Sequence, residues 1–465
     1  MEGEGCLHTD QDLGTGRIGR LLLNLAVPCI VAQMVNALYN MVDRMYLGNM
    51  PEIGAKALTG VGVTFPVIMI ITAFANLVGM GGAPLASISL GEGEPRRAER
   101  ILGNCFVLLC LVSAALMLGL LPFGRSVLLL FGASAETIVY AQPYLFIYVL
   151  GTPFVLMTLG LNPFINAQGY ARMSMITVLI GAIANIILDP VFIFVFGMGV
   201  QGAALATIIA QAISCAWVLR FLAGGRGKLR LRRSNFKLEG KLVGRVLGLG
   251  MSPFIMSSTE SLVQITLNTS LRALGGDLYV GAMTILSSLM QLAFMPLTGL
   301  AQGAQPIIGY NFGARNFARV RKTFWLLFWS SLAFATAFWA LCMLKPGWLV
   351  GIFNREADMM ALGMRALRIY MGAGFIMALQ QAPQQSFVAM GQAKISTFFA
   401  LLRKVILLIP LALMLPRVGN LGVMGVFWAE PIADTLSATT VFVTFLIMMR
   451  KLLPRSAGEI STLQP

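Results

Sequence analysis

The sequence predicts an all-α membrane protein with twelve transmembrane helices in two six-helix bundles related by pseudo-two-fold symmetry. The 465 residues are 57% hydrophobic and 11% charged, with a mean hydropathy of +0.80, which is typical of membrane proteins. Apolar stretches of the roughly 20 residues that a bilayer crossing needs recur along the whole chain. Similar segments also appear in both halves, separated by about 222 to 225 positions.

The apolar stretches predict twelve spans. In order they cover residues 18–47, 54–85, 97–122, 137–167, 172–195, 200–223, 242–271, 278–308, 319–345, 357–390, 394–416 and 420–450. The predicted organisation is therefore an N-terminal tail (1–17), an N-terminal bundle (18–223), a basic linker (224–241), a C-terminal bundle (242–450) and a C-terminal tail (451–465).

Charge distribution predicts the orientation in the membrane. Most of the 34 lysine and arginine residues fall in the tails and in the loops on their side, so both termini are expected in the cytoplasm, and the plasma (inner) membrane is the expected location. The first apolar helix should direct insertion and stay in the protein. The linker fits an ordinary positive-inside loop, and a lipid-headgroup or partner-docking site is the alternative.

Composition also argues against several functions. The six cysteines show no metal-ligand spacing and the chain has one histidine, His8, so neither a zinc site nor a disulfide framework is expected. No phosphate-binding glycine loop or nucleophile–base pair stands out. We therefore expect no enzyme, no cofactor and no nucleic-acid partner.

Matching segments indicate how the halves are related. Ala83-Pro84 and Leu90-Gly91 have counterparts in Gln305-Pro306 and Phe312-Gly313. Six spans followed by six in the same orientation give parallel repeats around an axis along the membrane normal. That architecture is typical of transporters that alternate access to a central site.

A polar stripe on the first span gives the first candidate site. Gln33, Asn36, Asn40 and Asp43 fall on one face of a helix. An ionisable group inside a span is costly in hydrocarbon and is a functional candidate by default. The alternative is that Asp43 lies at the helix end, where it meets headgroups or pairs with Arg44.

Six segments together resemble prokaryotic members of the multidrug and toxic compound extrusion (MATE) family. They are LYNMVDRMYLG (38–48), SLGEGEPRRAER (89–100), FINAQGYARMS (164–174), NIILDPVFI (185–193), GVQGAALAT (199–207) and YNFGARNFARVRK (310–322). The resemblance implies a V-shaped, MATE/MOP-type exporter that exchanges inward protons or sodium ions for outward drug movement. It also implies a cation site in the N-terminal bundle.

The fifth span carries the second carboxylate of that candidate site. Asn185 and Asp189 are spaced i, i+4 and therefore share a face. By resemblance, the cation and proton network comprises Asp43, Asn162, Asn185, Asp189 and Thr207. Oxygen ligands from Asp43, Asn185, Asp189 and Thr207 suit Na⁺ as well as a proton relay. The alternative for Asp189 is a structural role at the kink next to Pro190.

The C-terminal bundle offers a different set of polar residues. Glu260 is a second coupling candidate, with a satisfied interhelical hydrogen bond as the alternative reading. Arg403 or Lys404 is expected to pair with Asp434, which leaves Glu430 unpaired and facing the cavity. The candidate cavity residues are Gln33, Asn36, Asn40, Gln264, Gln381, Gln385 and Glu430.

Together these features favour a monomeric exporter of cationic or amphipathic small molecules, driven by H⁺ or Na⁺. A flippase for lipid-linked saccharides from the wider superfamily is the alternative, because Arg403 and Lys404 could serve a pyrophosphate. A channel or a membrane scaffold is a third reading, and it has less need of carboxylates away from a pore axis.

Overall fold

A computed structural model describes residues 13–50, 54–225, 227–419 and 421–454. The predicted tails, 1–17 and 451–465, therefore lie mostly outside the described residues. Within the described ranges the chain forms helices joined by short loops, as the apolar composition predicts.

Six helices, α1 to α6, form the N-terminal lobe. They are α1 Ile18–Gly48, α2 Gly54–Gly91, α3 Pro95–Leu130, α4 (Ile138–Leu150 and Thr152–Ala167, bent by 57°), α5 Ala171–Pro190 with a π-helical turn Val191–Val195, and α6 Gly199–Ala223. Pro95 occupies the first turn of α3, where its missing N–H leaves no bond unmade.

The C-terminal lobe repeats this order in α7 to α12. They are α7 Gly240–Gly275, α8 Asp277–Gly313, α9 Phe317–Leu344, α10 (Ala357–Tyr370 and, after a turn Gly374–Ile376, Met377–Ala389), α11 (Ala393–Leu401, π-helical Leu402–Leu408, Ile409–Met414 and a 3₁₀ turn Leu415–Arg417) and α12 Met424–Leu452. A short helix, Pro346–Gly351, joins α9 to α10.

The helices in the described part of the chain match a membrane protein by length and composition. Nine are long and apolar enough to cross a bilayer, and eleven spans result when each of the two bent pairs counts as one. The helix in the seventh position, α7, has 36 residues and is not among the eleven. Its polar stretch around Ser257, Ser258 and Glu260 lowers its hydropathy, and this stretch reaches the region between the lobes.

Three helix pairs carry most of the contacts between the lobes: α1 with α8, α2 with α7, and α2 with α8. Glycines bring their backbones together. A Cβ added to Gly303 of α8 would lie 2.5 Å from the Cα of Ala26 in α1, and one added to Gly81 of α2 would collide with the backbone of Val246 and Gly250 in α7. Because Gly81 and Gly303 are 222 positions apart, the repeat seen in the sequence is also present in the packing.

The same symmetry holds at the ends of α2 and α8. A Cβ on Gly91 would strike the carbonyl oxygen of Tyr310, and a Cβ on Gly313 would strike that of Ile88. Gly91 and Gly313 are 222 positions apart, and so are the residues they contact, Ile88 and Tyr310. The two contacts are therefore related by the pseudo-two-fold symmetry. We call this set of backbone contacts, from Gly81 and Gly303 to Gly91 and Gly313, the glycine seam.

The glycine seam closes the lobes on one side of the bundle. This side, where α6 ends and α7 begins, is the linker side; α1 also begins there and α2 and α8 end there. Away from it, α1 and α8 leave a recess of about 220 Å³ between them, lined by residues that include Asn40 and Gln291. The cleft between the lobes therefore opens away from the linker side.

The linker is held against the N-terminal lobe. Asn104 of α3 accepts a hydrogen bond from the Glu239 backbone N–H at 2.8 Å, and Gln168 accepts one from that of Leu229 at 2.8 Å. Phe236 stacks on Phe106 with ring centroids 5.0 Å apart. The linker thus extends the N-terminal lobe as a packed segment.

Candidate functional site

The two N-terminal carboxylates meet between α1 and α5. Asp43 lies near the end of α1 and Asp189 near the end of α5, and these helices pack against each other. Asp189 is fully buried. The two carboxyl groups are near enough to interact electrostatically.

Asn185 and Thr207 extend this pair toward α6. The Asn185 amide nitrogen donates to Asp189 Oδ1 at 3.2 Å and approaches Thr207 Oγ1 at 3.4 Å. The Thr207 hydroxyl donates to the carbonyl oxygen of Ala203 at 3.0 Å, so its lone pairs stay directed toward Asn185. We call Asp43, Asn185, Asp189 and Thr207 the N-lobe oxygen cluster.

Several oxygens of this cluster have no hydrogen-bond donor among the described residues. They are Asp43 Oδ1, Asn185 Oδ1 and Asp189 Oδ2. Burying a charged or polar group without a partner is expensive. A shared proton or a small cation with oxygen preference, such as Na⁺, would satisfy these atoms. The oxygen ligands of this cluster are therefore compatible with either a proton or Na⁺.

The backbone around Asp189 is irregular. Pro190 follows it and lacks the N–H that would complete a helical bond, and the helix continues as the π-helical turn Val191–Val195. Such turns within α-helices are frequent at functional sites. Thus the α5 carboxylate sits at the junction between two helical geometries.

A cavity of about 370 Å³ lies beside the cluster, between the N-terminal lobe and α8. Amide side chains dominate its polar lining: Gln33, Asn36, Asn76, Asn162, Asn166, Gln302 and Gln305. Asn36, Thr158 and Leu159 also line a narrow crevice of about 50 Å³ that reaches Asn185 and Thr207. The oxygen cluster and the cavity are therefore adjacent spaces that share wall residues.

The predicted residues divide between these spaces. Gln33 and Asn36 line the cavity, and Asn40 lines the recess between α1 and α8. Asn162 lies in the cavity wall, where its amide donates to the carbonyl oxygen of Ser174 at 3.3 Å. It therefore borders the cavity, whereas the other four network residues form the oxygen cluster.

Gln302 of α8 is a residue that sequence reasoning missed. Gln33 donates to its side-chain oxygen at 3.1 Å, and Asn166 donates to its backbone oxygen at 2.8 Å. These bonds join the lobes across the floor of the cavity. The repeat pattern around Gln305-Pro306 was the available signal, because Gln302 lies one helical turn before Gln305.

Two tyrosines, the buried Tyr144 and the half-buried Tyr39, were also missed. The phenols of Tyr39 and Tyr144 lie within electrostatic reach of Asp43 and Asp189. Tyr39 also lines the crevice. Tyr39 lies one turn before Asp43 and so flanks the polar stripe of α1, but that stripe was defined by amide and carboxylate side chains alone.

The C-terminal lobe contains a charged cluster around α11, the helix that corresponds to α5 of the N-terminal lobe. Arg403 Nε donates to Asp434 Oδ1 at 2.6 Å and Arg403 Nη2 donates to Glu430 Oε1 at 3.1 Å. The expectation that Glu430 stays unpaired and faces the cavity is wrong, because Glu430 and Asp434 stand one turn apart on α12 and the guanidinium fork reaches both. Glu430 is buried, and Arg403 also lies over the ring of Phe294.

Lys404 takes a different carboxylate. Its ammonium group donates to Glu260 of α7 and, at 2.9 Å, to the carbonyl oxygen of Met256. Both basic residues belong to the π-helical segment Leu402–Leu408. Successive residues of a helix point in directions about 100° apart, so Arg403 faces α12 and Lys404 faces α7. Glu260 is therefore paired within its own lobe.

Two of the candidate glutamines of the C-terminal lobe hydrogen-bond to residues of the same lobe. Gln264 donates to Ser287 Oγ at 3.3 Å, and Gln385 accepts a bond from Gln305 at 2.7 Å. Gln381 is buried and its side-chain oxygen has no donor among the described residues. Gln385 thus adjoins the cavity wall through Gln305.

Two membrane-embedded lobes around a polar cavity, joined by a narrow seam, define a small-molecule membrane transporter. The family model described as MatE matches residues 28–191 and 253–414, which is more than half of the chain. The chain belongs to this family, the multidrug and toxic compound extrusion transporters, whose members are not enzymes.

Relatives agree over almost the whole length. The multidrug export protein MepA of Staphylococcus haemolyticus is 25% identical over 440 residues, covering 93% of this chain and 94% of the relative. MepA of Staphylococcus aureus strain MSSA476 is 24% identical over 443 residues, again covering 93% and 94%. A crystal structure of a MATE protein in complex with MaD3S superimposes with a TM-score of 0.89 at 21% identity, covering 96% of this chain and 99% of that one.

Proposed function

We propose that this MATE transporter is an antiporter that exports cationic or amphipathic drugs in exchange for inward H⁺ or Na⁺. The observation that carries the proposal is the N-lobe oxygen cluster, in which two neighbouring carboxylates lie beside unpartnered amide and carboxylate oxygens. Two such carboxylates are costly in a dry site unless a proton or a cation neutralises part of their charge. Occupancy by the ion therefore changes the energy of the site.

Helix α1 provides a physical link from that site to the cleft. Its first half packs against α8 of the other lobe, where Ala26 meets Gly303, and its second half carries Asp43. Seventeen residues, about 25 Å of helix, separate the two contacts. A change in charge at Asp43 alters how α1 packs on α5, and the change reaches the glycine seam along α1, which is one continuous helix with Pro28 inside it. In this proposal, ion binding and seam opening are thus coupled energetically.

The cavity supports the substrate part of the proposal. Its amide-rich and apolar walls can accept amphipathic molecules of varied shape. Glu260, whose side chain is 54% exposed although it is paired with Lys404, adds a carboxylate at the cleft. With both termini in the cytoplasm of a plasma-membrane protein, as the charge distribution predicts, the cleft described here faces outward. We propose that one chain suffices, because each lobe's charged cluster is built from its own helices.

The test uses purified protein in proteoliposomes loaded with a fluorescent organic cation, ethidium. Asp43→Asn should abolish gradient-driven transport while ethidium binding in detergent persists. Asp277→Asn is the matched control, because Asp277 is an exposed carboxylate paired with Arg272 at the surface, and it should transport normally. Normal transport by the Asp43 variant would contradict the proposal.

The driving ion follows from the gradient. A pH gradient alone and a sodium gradient alone are imposed in turn, and transport under one of them identifies the coupling ion. Transport that proceeds at the same rate without either gradient would refute coupling altogether.

The flippase alternative is disfavoured by the C-terminal cluster. A site for pyrophosphate needs basic groups that face the cavity, whereas Arg403 is 8% exposed and bound to two carboxylates. Lys404 is 7% exposed and forms an ion pair with Glu260. Movement of a lipid-linked saccharide by reconstituted protein that is lost when Arg403 or Lys404 is replaced would restore that alternative.

A further inference from the structure

We propose that Lys404 is a tethered cation that competes with cationic substrates for Glu260, and so sets the selectivity of the cleft for charge. This inference rests on the proposed export of organic cations and assigns a further specificity-determining residue to it. It concerns the C-terminal lobe and does not involve the N-lobe oxygen cluster.

The two partners differ sharply in exposure. The Lys404 side chain is 8% exposed, whereas the Glu260 side chain is 54% exposed. Lys404 therefore approaches Glu260 from inside the lobe and leaves much of the carboxylate open. A second positive group can reach Glu260 from the other side.

The open side of Glu260 faces the cleft. At about 100° per residue, Leu262 and Ile265 lie about 200° and 140° around α7 from Glu260, and both are exposed as expected of lipid-facing residues. Ser257, about 60° away, accepts a hydrogen bond from Asn76 of the other lobe at 3.2 Å. Glu260 is thus turned away from the lipid face of α7 and toward the region between the lobes.

The charges of the cluster leave room for one more cation. Arg403 and Lys404 face three carboxylates, those of Glu260, Glu430 and Asp434. Arg403 binds two of them, so the exchangeable pair is Lys404 with Glu260. A monovalent organic cation at Glu260 would balance the cluster.

Lys404 keeps other partners when it leaves Glu260. Its ammonium already donates to the Met256 carbonyl oxygen at 2.9 Å, and it interacts electrostatically with Glu430. The displaced ammonium therefore stays within reach of acceptors. This lowers the cost of exchange relative to stranding a buried charge.

The experiment measures equilibrium binding in detergent without any ion gradient. Lys404→Met should bind ethidium about fivefold more tightly, the factor that corresponds to the ~1 kcal/mol of a partly exposed ion pair. Binding of the uncharged fluorophore N-phenyl-1-naphthylamine should not change. Lys394→Met is the matched control, since Lys394 is an exposed residue at the start of the same helix, and both ligands should bind it as they bind the parent protein.

A double variant isolates the pair. If Lys404 acts by competing for Glu260, its replacement should have no effect on ethidium binding in a Glu260→Gln background. An equal gain in both backgrounds, or an equal gain for the neutral fluorophore, would show a general loosening of the lobe and overturn the proposal.

Lys404→Arg covers the case in which the methionine variant does not fold. A guanidinium can bind Glu260 with two hydrogen bonds, so ethidium should bind this variant more weakly than the parent, and unchanged or tighter binding would contradict the proposal. Because no gradient is present, these results do not depend on coupling at Asp43. If the binding results contradict the role of Lys404, the antiport mechanism is unaffected. If the Asp43 variant transports normally, the role of Lys404 in binding is unaffected.

Discussion

Gly303→Ala should shift the transporter away from the state described here. The new Cβ would lie 2.5 Å from both the backbone nitrogen and the Cα of Ala26, whereas carbon atoms prefer separations of about 3.5–4.0 Å. Helices α1 and α8 must therefore separate by about 1 Å at this point. Overpacking of this kind costs about 1–3 kcal/mol, which changes the ratio of seam-closed to seam-open molecules by about 5- to 150-fold.

Spin labels on the linker side can measure that ratio. Exposed positions Arg96 of the N-terminal lobe and Lys322 of the C-terminal lobe provide one label each, in a background with the cysteines replaced. Pulsed electron paramagnetic resonance should show a longer-distance population in the Gly303 variant. Its pseudo-symmetric counterpart, Gly81→Ala, should behave alike.

Gly248→Ala is the matched control for the seam. Gly248 also lies on a seam helix, α7, but its added Cβ would meet one atom, the Cβ of Ala393, at an ordinary 3.9 Å. The control should keep the parent distance distribution. If the Gly303 and Gly248 variants gave the same distribution, the seam would not hold the lobes together on the linker side, and the reasoning would be refuted.

Three further predictions concern polar contacts. Arg403→Met should lower the stability of the folded protein by about 3–5 kcal/mol, because it leaves buried carboxylates unpaired; thermal unfolding in detergent measures this, and adding Asp434→Asn should restore part of the loss. Where Na⁺ is the coupling ion, Asn185→Leu should weaken its binding about ten- to hundredfold, because the variant loses the Asn185 side-chain oxygen as a ligand for a charged group; the Na⁺ concentration that gives half-maximal transport would remain unchanged if Asn185 had no part in the site. Gln302→Leu should break the side-chain hydrogen bond with Gln33 that joins the lobes. The population with the longer label distance should then increase, as in the Gly303 variant, but by less than about tenfold. A decrease of that population would count against an inter-lobe bond.

The helical fold was predictable because hydropathy and repeats are properties of the chain itself. In lipid, the backbone N–H and C=O groups must hydrogen-bond within the protein, so each apolar stretch forms a helix. The 222-residue offset between Gly81 and Gly303 also reappears in the packing. The break in α4 falls at Gly151, just before Pro153 in the first turn of the second segment, and proline is well tolerated at that position of a helix. The break in α10 falls at residues 371–373 instead, while Pro383 remains inside a continuous helix.

Side-chain partners were less predictable, because they depend on how each helix is rotated about its axis and on whether its geometry is regular. The i, i+4 spacing placed Asn185 next to Asp189, and regular α-helix justified that step. In α11 the π-helical segment changes the face that each residue takes, so depth alone could not assign Lys404 to Glu260. Glu430 was misjudged for a second reason: depth along one helix does not reveal that a single arginine can bind two carboxylates.

The two lobes handle buried charge in different ways, although their folds are related. The N-terminal pair, Asp43 and Asp189, has no basic side chain bound between its carboxyl groups in the described structure, whereas the C-terminal carboxylates are bound by Arg403 and Lys404. A site whose counter-charge is covalently attached keeps that charge throughout a cycle. A site without one must obtain it from a proton or a metal ion, and its energy then follows the supply of that ion. We therefore expect the N-terminal lobe to respond to the ion gradient, and the C-terminal lobe to respond to the charge of the substrate.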